Sequence, residues 1–163
     1  MTHDAKDPNQ VIKEAHLKHD GAFMEFETSV LKEWLDYNEH MNDAAYALAL
    51  SAANEAFLDH ANTGASYRAA TGCTLYTVEA HIYYLAEVHS TDRLSARTEI
   101  SELTNKKLKL ATTLIRTDGK EAARGEFLYL HYNQELEKVI PFPVEVFTRL
   151  KSLESPGHQP DPS

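Results

Sequence analysis

The alternation of apolar and polar residues along the chain predicts five β-strands. Residues 22–31 place Met24, Phe26, Thr28 and Val30 on one face and mostly polar side chains on the other. The same two-residue period predicts further strands at residues 73–85, 93–103, 107–117 and 123–132. We therefore expect a sheet with one covered face.

A longer period, near 3.6 residues, predicts a helix at residues 43–61. Tyr46, Leu50, Ala53 and Phe57 recur at helical spacing and form an apolar stripe. The eight alanines of this segment would let a sheet approach the helix closely. An Asn-Thr-Gly sequence follows and is typical of a helix end.

The order of these elements indicates an α+β fold. One strand is followed by the long helix and then by four strands with short connections, and a short final helix is expected at residues 144–153. Short connections favour antiparallel pairing, and Asp118–Gly119 is a typical hairpin turn. One apolar helix needs a sheet that wraps around it. Such a sheet keeps two edges, and pairing with a second copy of the chain is a natural way to protect one.

Length and composition limit the classes of protein that fit. A chain of 163 residues predicts one domain, at residues 21–153, between polar segments at residues 1–20 and 154–163 that we expect to be loosely ordered. The net charge of −9 argues against a nucleic-acid-binding surface. No apolar run approaches the ~18–20 residues that cross a membrane, and the polar start lacks a secretory signal. With Cys73 as the single cysteine, we expect a cytoplasmic protein without an intrachain disulfide.

The sequence WLDYNEHMNDAAY, residues 34–46, crowds polar side chains between the first strand and the long helix. A helix needs one N-cap residue, whereas Asp36, His40, Asn42 and Asp43 offer several. The start of a helix has free backbone N–H groups that favour negative charge. A carboxylate beside such donors could attack a carbonyl or activate water. Alternatively, Asn42 or Asp43 is a simple N-cap, and Asp36 is a turn residue that binds loop amides.

This stretch resembles the fingerprint of the hotdog-fold acyl-CoA thioesterases of the 4-hydroxybenzoyl-CoA type. That fingerprint has an Asp, two further residues, a Gly, often His-Val/Met-Asn, and a Tyr in the helix. Here it reads Asp36-Tyr37-Asn38-Glu39-His40-Met41-Asn42, with Tyr46 following. Within the family, LYTVEAHIYYLAEVHSTDRL, AARGEFLYLHYN and VIPFPVEV are similar to betainyl-CoA thioesterases of carnitine breakdown. The resemblance implies an antiparallel sheet wrapped around one long central helix, and hydrolysis of a small acyl-CoA thioester.

The resemblance also implies roles for particular residues. Asp36 matches the catalytic aspartate, as nucleophile or general base, and Asn42 and Asp43 begin the helix whose amides would polarise the carbonyl. His40 either orients the loop or substrate, or is a satisfied buried histidine. Glu39 stands where the family usually has Gly, and a positive φ there would strain the loop. We expect a homodimer or homotetramer with the site at a subunit interface, no metal ion, and no cofactor besides the coenzyme A of the substrate.

Substrate contacts are expected from residues near this loop and on the strand at residues 73–85. The predicted set is Trp34, Tyr37, Tyr46, Glu79 and His81. A trimethylammonium group would suit an aromatic cage that also includes Tyr76, Tyr83 and Tyr84. The CoA phosphates could bind Lys106, Lys107 and Lys109. Each set has a structural alternative: tyrosines in a core or interface, a solvent-facing Glu–His pair, and lysines on a solvated hairpin.

Two other functions fit the same sequence. A hydratase or dehydratase of the same fold carries an Asp-x-Asn-Pro-x-His type of motif, which residues 36–40 approach with one residue fewer and no Pro. A non-catalytic acyl-CoA-binding protein would keep the fold, and Glu39 favours that alternative. Some hotdog enzymes carry an acidic catalytic residue on the long helix, but we expect Glu55 to be an outward-facing polar residue. We expect Cys73 to be a small strand residue and not a nucleophile.

Overall fold

The computed structural model describes the backbone of residues 18–20 and 23–155, and the side chains from residue 26 on. Its strands are β1 (Lys18–Asp20), β2 (Phe23–Ser29), β3 (Cys73–Tyr84), β4 (Arg93–Leu103), β5 (Lys107–Arg116), β6 (Glu121–Asn133) and β7 (Lys138–Val139). Its helices are α1 (Asp43–His60), α2 (Ala65–Thr71) and α3 (Val144–Ser152), and a 3-10 turn lies at Lys32–Trp34. The five predicted strands are confirmed as β2 to β6, and the two predicted helices as α1 and α3.

The described strands form one antiparallel sheet in the order β1-β2-β4-β5-β6-β3, with β7 paired to β6. Every neighbouring pair runs antiparallel, as the short connections predicted. The sheet curls around α1, so the expected α+β hotdog architecture is confirmed.

Helix α1 packs against β2, β4 and β5 through its apolar stripe. Leu50 and Phe57 of the helix are fully buried, and so are Leu108, Leu110 and Leu114, which alternate along β5. Each such side chain stabilises the fold by about 1.5–3 kcal/mol relative to an exposed position. The helix is therefore held firmly on the sheet, and its first turn has a fixed place.

Strand β3 forms an edge of the sheet. Within the described part of the chain it pairs with β6 alone, and every side chain from Tyr76 to His81 is exposed. A β-bulge between Thr77 and Glu79 interrupts its register. Because residues 76–81 are exposed on both faces of the strand, β3 lacks the covered face that the alternation predicted. The edge carries exposed apolar side chains, which are Tyr76, Val78, Tyr83 and Tyr84.

Three short elements were not predicted. Helix α2 has no buried residue, so no apolar stripe marks it in the sequence. Strand β7 has only two residues, and β1 lies at the end of the segment that was expected to be loosely ordered. The rest of that segment, residues 1–17, and residues 156–163 of the predicted tail lie outside the described residues. Over the described ranges, no helix combines the length and apolarity needed to cross a membrane.

Candidate functional site

The loop before α1 is closed on itself by Asp36. Leu35 and Met41 form an isolated antiparallel bridge, and the backbone N–H of Asp36 donates to the carbonyl of His40 at 2.8 Å. Asp36 Oδ1 accepts from the backbone N–H of Asn38 at 2.7 Å and from that of His40 at 3.3 Å. Its other oxygen, Oδ2, makes no hydrogen bond to any described residue. One carboxylate oxygen thus holds the loop, while the second is available for chemistry.

Glu39 lies at the tip of this loop with a φ of 62°. That value is in the left-handed region, which suits glycine and costs other residues conformational energy. The loop therefore follows a path that favours glycine even though the sequence supplies a glutamate.

Asn42 is the N-cap of α1. Its Oδ1 accepts from the N–H of Ala45 at 2.9 Å, and its Nδ2 donates to the carbonyl of Trp34 at 2.8 Å. The next two backbone N–H groups, of Asp43 and Ala44, make no hydrogen bond within the described part of the chain. These two amides are free donors at the positive end of a helix, where a developing oxyanion would be stabilised.

A cleft of about 390 Å³ opens at this helix start. It is lined by Met41, Asp43, Tyr46, Tyr84, Leu85, Ala86 and Glu87. The hydroxyl of Tyr46 donates to the carbonyl of Ala86 at 3.0 Å, and burial raises the pKa of Tyr46. The rings of Tyr46 and Tyr84 meet edge to face, with centroids 5.3 Å apart. The cleft combines two carboxylates and two aromatic rings with no Lys or Arg side chain in its lining.

The connection between β3 and β4 forms the other wall, and none of its residues was predicted to have a role. The N–H of Met41 donates to the carbonyl of Val88 at 2.8 Å, and His40 forms an isolated bridge with His89. Arg116 Nη1 donates to the carbonyl of Glu87 at 2.6 Å. The polar sequence EVHSTD in this connection could have indicated functional residues, but it does not reveal that they pair with a loop more than forty residues earlier.

The remaining predicted substrate residues are dispersed. The Trp34 side chain is 5% exposed and lies in the core, whereas Tyr37 beside Asp36 is 94% exposed. Glu79 and His81 face the same way on β3, with His81 Nε2 3.9 Å from Glu79 Oε2, and both are exposed. One chain therefore places Asp43 and Tyr46 in the cleft, and Asp36, His40 and Asn42 in the loop that leads into the same helix.

The predicted CoA-binding lysines lie at the other end of the sheet. Lys107 is level with Leu130 on β6, whereas Tyr84 of the cleft is level with Ala123 on the same strand. At ~3.3 Å per residue, the two levels are roughly 23 Å apart. Lys109 also pairs with Glu126, at 3.2 Å. Within one chain, these lysines do not reach the cleft.

Comparison with known proteins shows which family the chain belongs to. The thioesterase-like superfamily matches residues 30–150. The betainyl-CoA thioesterase of Pseudomonas aeruginosa is 35% identical over 129 residues, which cover 78% of this chain and 81% of that protein. The L-carnitine dehydrogenase/betainyl-CoA thioesterase of Agrobacterium fabrum is 36% identical over 129 residues; these cover 79% of this chain, which spans only about a quarter (26%) of that protein.

A solved structure has a similar fold. A Staphylococcus aureus protein in complex with CoA superposes with a TM-score of 0.76 at 26% identity, covering 90% of this chain and 91% of that one. The match to the superfamily covers most of the described fold, including the Asp36 loop and α1. The chain belongs to the thioesterase-like superfamily.

Proposed function

We propose that this hotdog acyl-CoA thioesterase acts on a small acyl group with a positive charge, and that betainyl-CoA is its substrate. The observation that carries the proposal is the lining of the cleft, which includes Asp43, Glu87, Tyr46 and Tyr84 and no Lys or Arg side chain. Two relatives whose names include betainyl-CoA thioesterase support the choice of substrate.

The cleft suits a trimethylammonium group in two ways. The ring of Tyr84 is about half exposed and can offer its face to a cation, a contact worth ~0.5–2 kcal/mol. The carboxylates of Asp43 and Glu87 attract the same charge over a longer range. They also repel the phosphates of CoA, so the acyl group and not the nucleotide end would enter the cleft.

The loop and the helix start supply the groups that thioester hydrolysis needs. With the thioester carbonyl near the free N–H groups of Asp43 and Ala44, these amides would stabilise the oxyanion. Asp36 Oδ2 could take a proton from water as the oxygen bonds to the carbonyl carbon, after which the C–S bond breaks and CoA leaves as the thiol. Alternatively, the carboxylate attacks the carbonyl directly, CoA leaves, and water hydrolyses the mixed anhydride.

A second copy of the chain would complete the site at the β3 edge. Antiparallel pairing of two β3 strands about a two-fold axis reverses the strand direction in the partner. The end of the partner's sheet that carries Lys107 and Lys109 would then lie level with the cleft of the first chain. This arrangement supports our expectation that these lysines bind the CoA phosphates across a homo-oligomer interface.

The test measures thiol release from betainyl-CoA and from tert-butylacetyl-CoA, a neutral analogue of the same shape. We expect the wild type to prefer betainyl-CoA. Asp36→Asn keeps the loop acceptor but loses the base or nucleophile, so kcat should fall by roughly 10²–10⁴-fold. Glu33→Gln is the matched control, because Glu33 is an exposed carboxylate of the preceding 3-10 turn, and it should retain full activity.

Each outcome decides a different point. Equal turnover of the charged and neutral thioesters would refute recognition of the positive charge. Full activity in Asp36→Asn would remove Asp36 from the mechanism. If neither thioester released any thiol, the proposed substrate would be wrong.

A further inference from the structure

His40, Glu87 and His89 form a cluster on the rim of the cleft. One ligand atom from each lies within 4.8 Å of the other two. His40 Nε2 is 3.9 Å from Glu87 Oε2, and the two imidazole rings have centroids 4.6 Å apart at an interplanar angle of 89°. We propose that these three side chains bind a divalent transition-metal ion of the zinc class.

The backbone holds the two histidines opposite each other. His40 and His89 form an isolated antiparallel bridge, so their side chains project from the same side of the paired backbone. The adjacent hydrogen bond from the N–H of Met41 to the carbonyl of Val88, 2.8 Å long, fixes this register. The two imidazoles are therefore placed together by the fold and do not depend on flexible side chains to meet.

Asp92 places a carboxylate beside the ring of His89. Its Oδ2 lies 3.6 Å from His89 Nδ1 and accepts from the backbone N–H of His89 at 2.8 Å. A carboxylate facing one ring nitrogen favours the tautomer in which the other nitrogen, Nε2, is free to bind a metal. A carboxylate beside the ring of a histidine is common in metal sites, so Asp92 supports the proposed role of His89.

The donor set indicates which metal fits. Two imidazoles and one carboxylate suit Zn²⁺ or Co²⁺, whereas Mg²⁺ and Ca²⁺ prefer oxygen ligands alone. Metal–ligand bonds of about 2.0–2.2 Å need the three donors closer together than they are here. The side chains of Glu87 and His40 are 70% and 34% exposed, so both have room to rotate and close that gap.

A bound metal would connect the two walls of the cleft. His40 belongs to the loop whose hydrogen bonds are organised by Asp36, and Glu87 and His89 belong to the connection between β3 and β4. Their separation along the chain explains why the sequence alone predicted no metal ligands. The inference rests on these three side chains and Asp92 and not on the proposed substrate. With a metal bound, Glu87 would hold the ion, and Asp43 and Tyr84 would remain to receive the substrate cation.

The experiment titrates tag-free, chelator-treated protein with Co²⁺ and then displaces it with Zn²⁺. We expect one Co²⁺ per chain with visible d–d absorption bands, loss of the bands on adding Zn²⁺, and a higher Tm with Zn²⁺. Asp92→Asn should weaken Zn²⁺ binding by roughly 10- to 100-fold, and His89→Gln by at least as much. The matched control is His81→Gln, because His81 has a carboxylate at the same 3.9 Å but belongs to no cluster of three in the described residues.

Circular dichroism checks that His89→Gln is folded. Glu87→Gln is a second variant, which changes the exposed third ligand and leaves the backbone contacts intact. Absence of Co²⁺ bands and of Zn²⁺ binding heat in the wild type would overturn the proposal. Binding that persists unchanged in folded His89→Gln or Glu87→Gln would also overturn it, since the ion would then be held elsewhere.

Discussion

Asp36 has two carboxylate oxygens with different surroundings. Oδ1 accepts two backbone hydrogen bonds within its own loop, whereas Oδ2 has no partner among the described residues. Asn42 is occupied at both ends of its amide group, by Ala45 and by Trp34. The sequence motif identified these residues, but it could not assign their individual atoms, because each assignment depends on the backbone path of the loop.

Glu39 carries backbone strain that a single substitution should release. Its φ of 62° lies in the left-handed region, which costs a non-glycine residue roughly 1–2 kcal/mol, while glycine loses about 0.5–1 kcal/mol through its freedom in the unfolded chain. We expect Glu39→Gly to raise the free energy of unfolding by about 0.5–1 kcal/mol, measured by urea denaturation. The kcat/KM should not change, because Glu39 is exposed and does not line the cleft.

Glu137→Gly is the matched control for this strain. Glu137 has a φ of 51° in the turn between β6 and β7, and it should show a similar gain. A gain at Glu137 combined with a loss at Glu39 would mean that the Glu39 side chain stabilises the loop by a contact that outweighs the strain.

Tyr84 should contribute to substrate preference through its ring. Tyr84→Leu removes the aromatic face, so we expect the preference for betainyl-CoA over tert-butylacetyl-CoA to fall by roughly 2- to 30-fold, from a cation–π contact of ~0.5–2 kcal/mol. Tyr84→Phe keeps the ring and should keep the preference, whichever way it changes kcat. Comparison of kcat/KM for both substrates in both variants makes the test. An unchanged preference in Tyr84→Leu would exclude this ring from the recognition of the cation.

At the scale of the elements, a helix or strand could be predicted where its pattern comes from residues that are neighbours in the sequence. The alternation in β4 and β5 and the stripe of α1 come from neighbouring residues, so these elements were predicted to within one residue of their ends. The connection between β3 and β4 has no period, and its order comes from distant partners such as Met41 and Arg116. Half of the cleft was therefore missed, although its other half was predicted from the motif.

The hairpin between β5 and β6 contains Asp118, whose contribution to the stability of the fold should depend on pH. The Arg116 guanidinium pairs with the carboxylate of Asp118, and the backbone N–H of Lys120 donates to the same carboxylate. Together, with Arg116 as the larger cause, they lower the pKa of Asp118 from 3.8 to about 2. A carboxyl group with a lowered pKa in the folded state stabilises the fold above its unfolded pKa, and this stabilisation is lost as the pH falls through the folded pKa. Asp118→Asn should therefore have a lower Tm than the wild type near neutral pH, and the difference should shrink from about pH 4 and vanish near pH 2.

Thermal unfolding of both proteins between pH 7 and pH 2 measures this difference. Asparagine keeps the acceptor for Lys120, so the turn is retained and only the charge is lost. Glu33→Gln serves as the control, since Glu33 is exposed and makes no ion pair in the described structure. A difference in Tm that stayed constant over the whole range would show that Asp118 acts through the turn and not through its charge.

At the scale of the whole molecule, the order of strands and helix along the chain predicted the α+β fold, because few architectures can bury a single apolar helix. The same reasoning could not assemble the whole site. The cleft lies at one end of the sheet and the lysines lie at the other, roughly 23 Å apart by ~3.3 Å per residue. A two-fold pairing across β3 would bring these ends together, and residues of one chain alone cannot specify it.

A charge on the β3 edge should therefore separate the subunits and lower the activity. Lysine on an edge strand opposes pairing with another strand, so we expect Val78→Lys to shift the protein towards monomer in analytical ultracentrifugation. Thiol release should fall in parallel, because the monomer lacks the partner's lysines. Leu136→Lys makes the same change at a position of similar exposure, 58% against 49%, in the turn between β6 and β7 and not on the β3 strand itself. The Leu136→Lys control should change neither the oligomeric state nor thiol release. A fully active monomer of Val78→Lys would disprove the shared site.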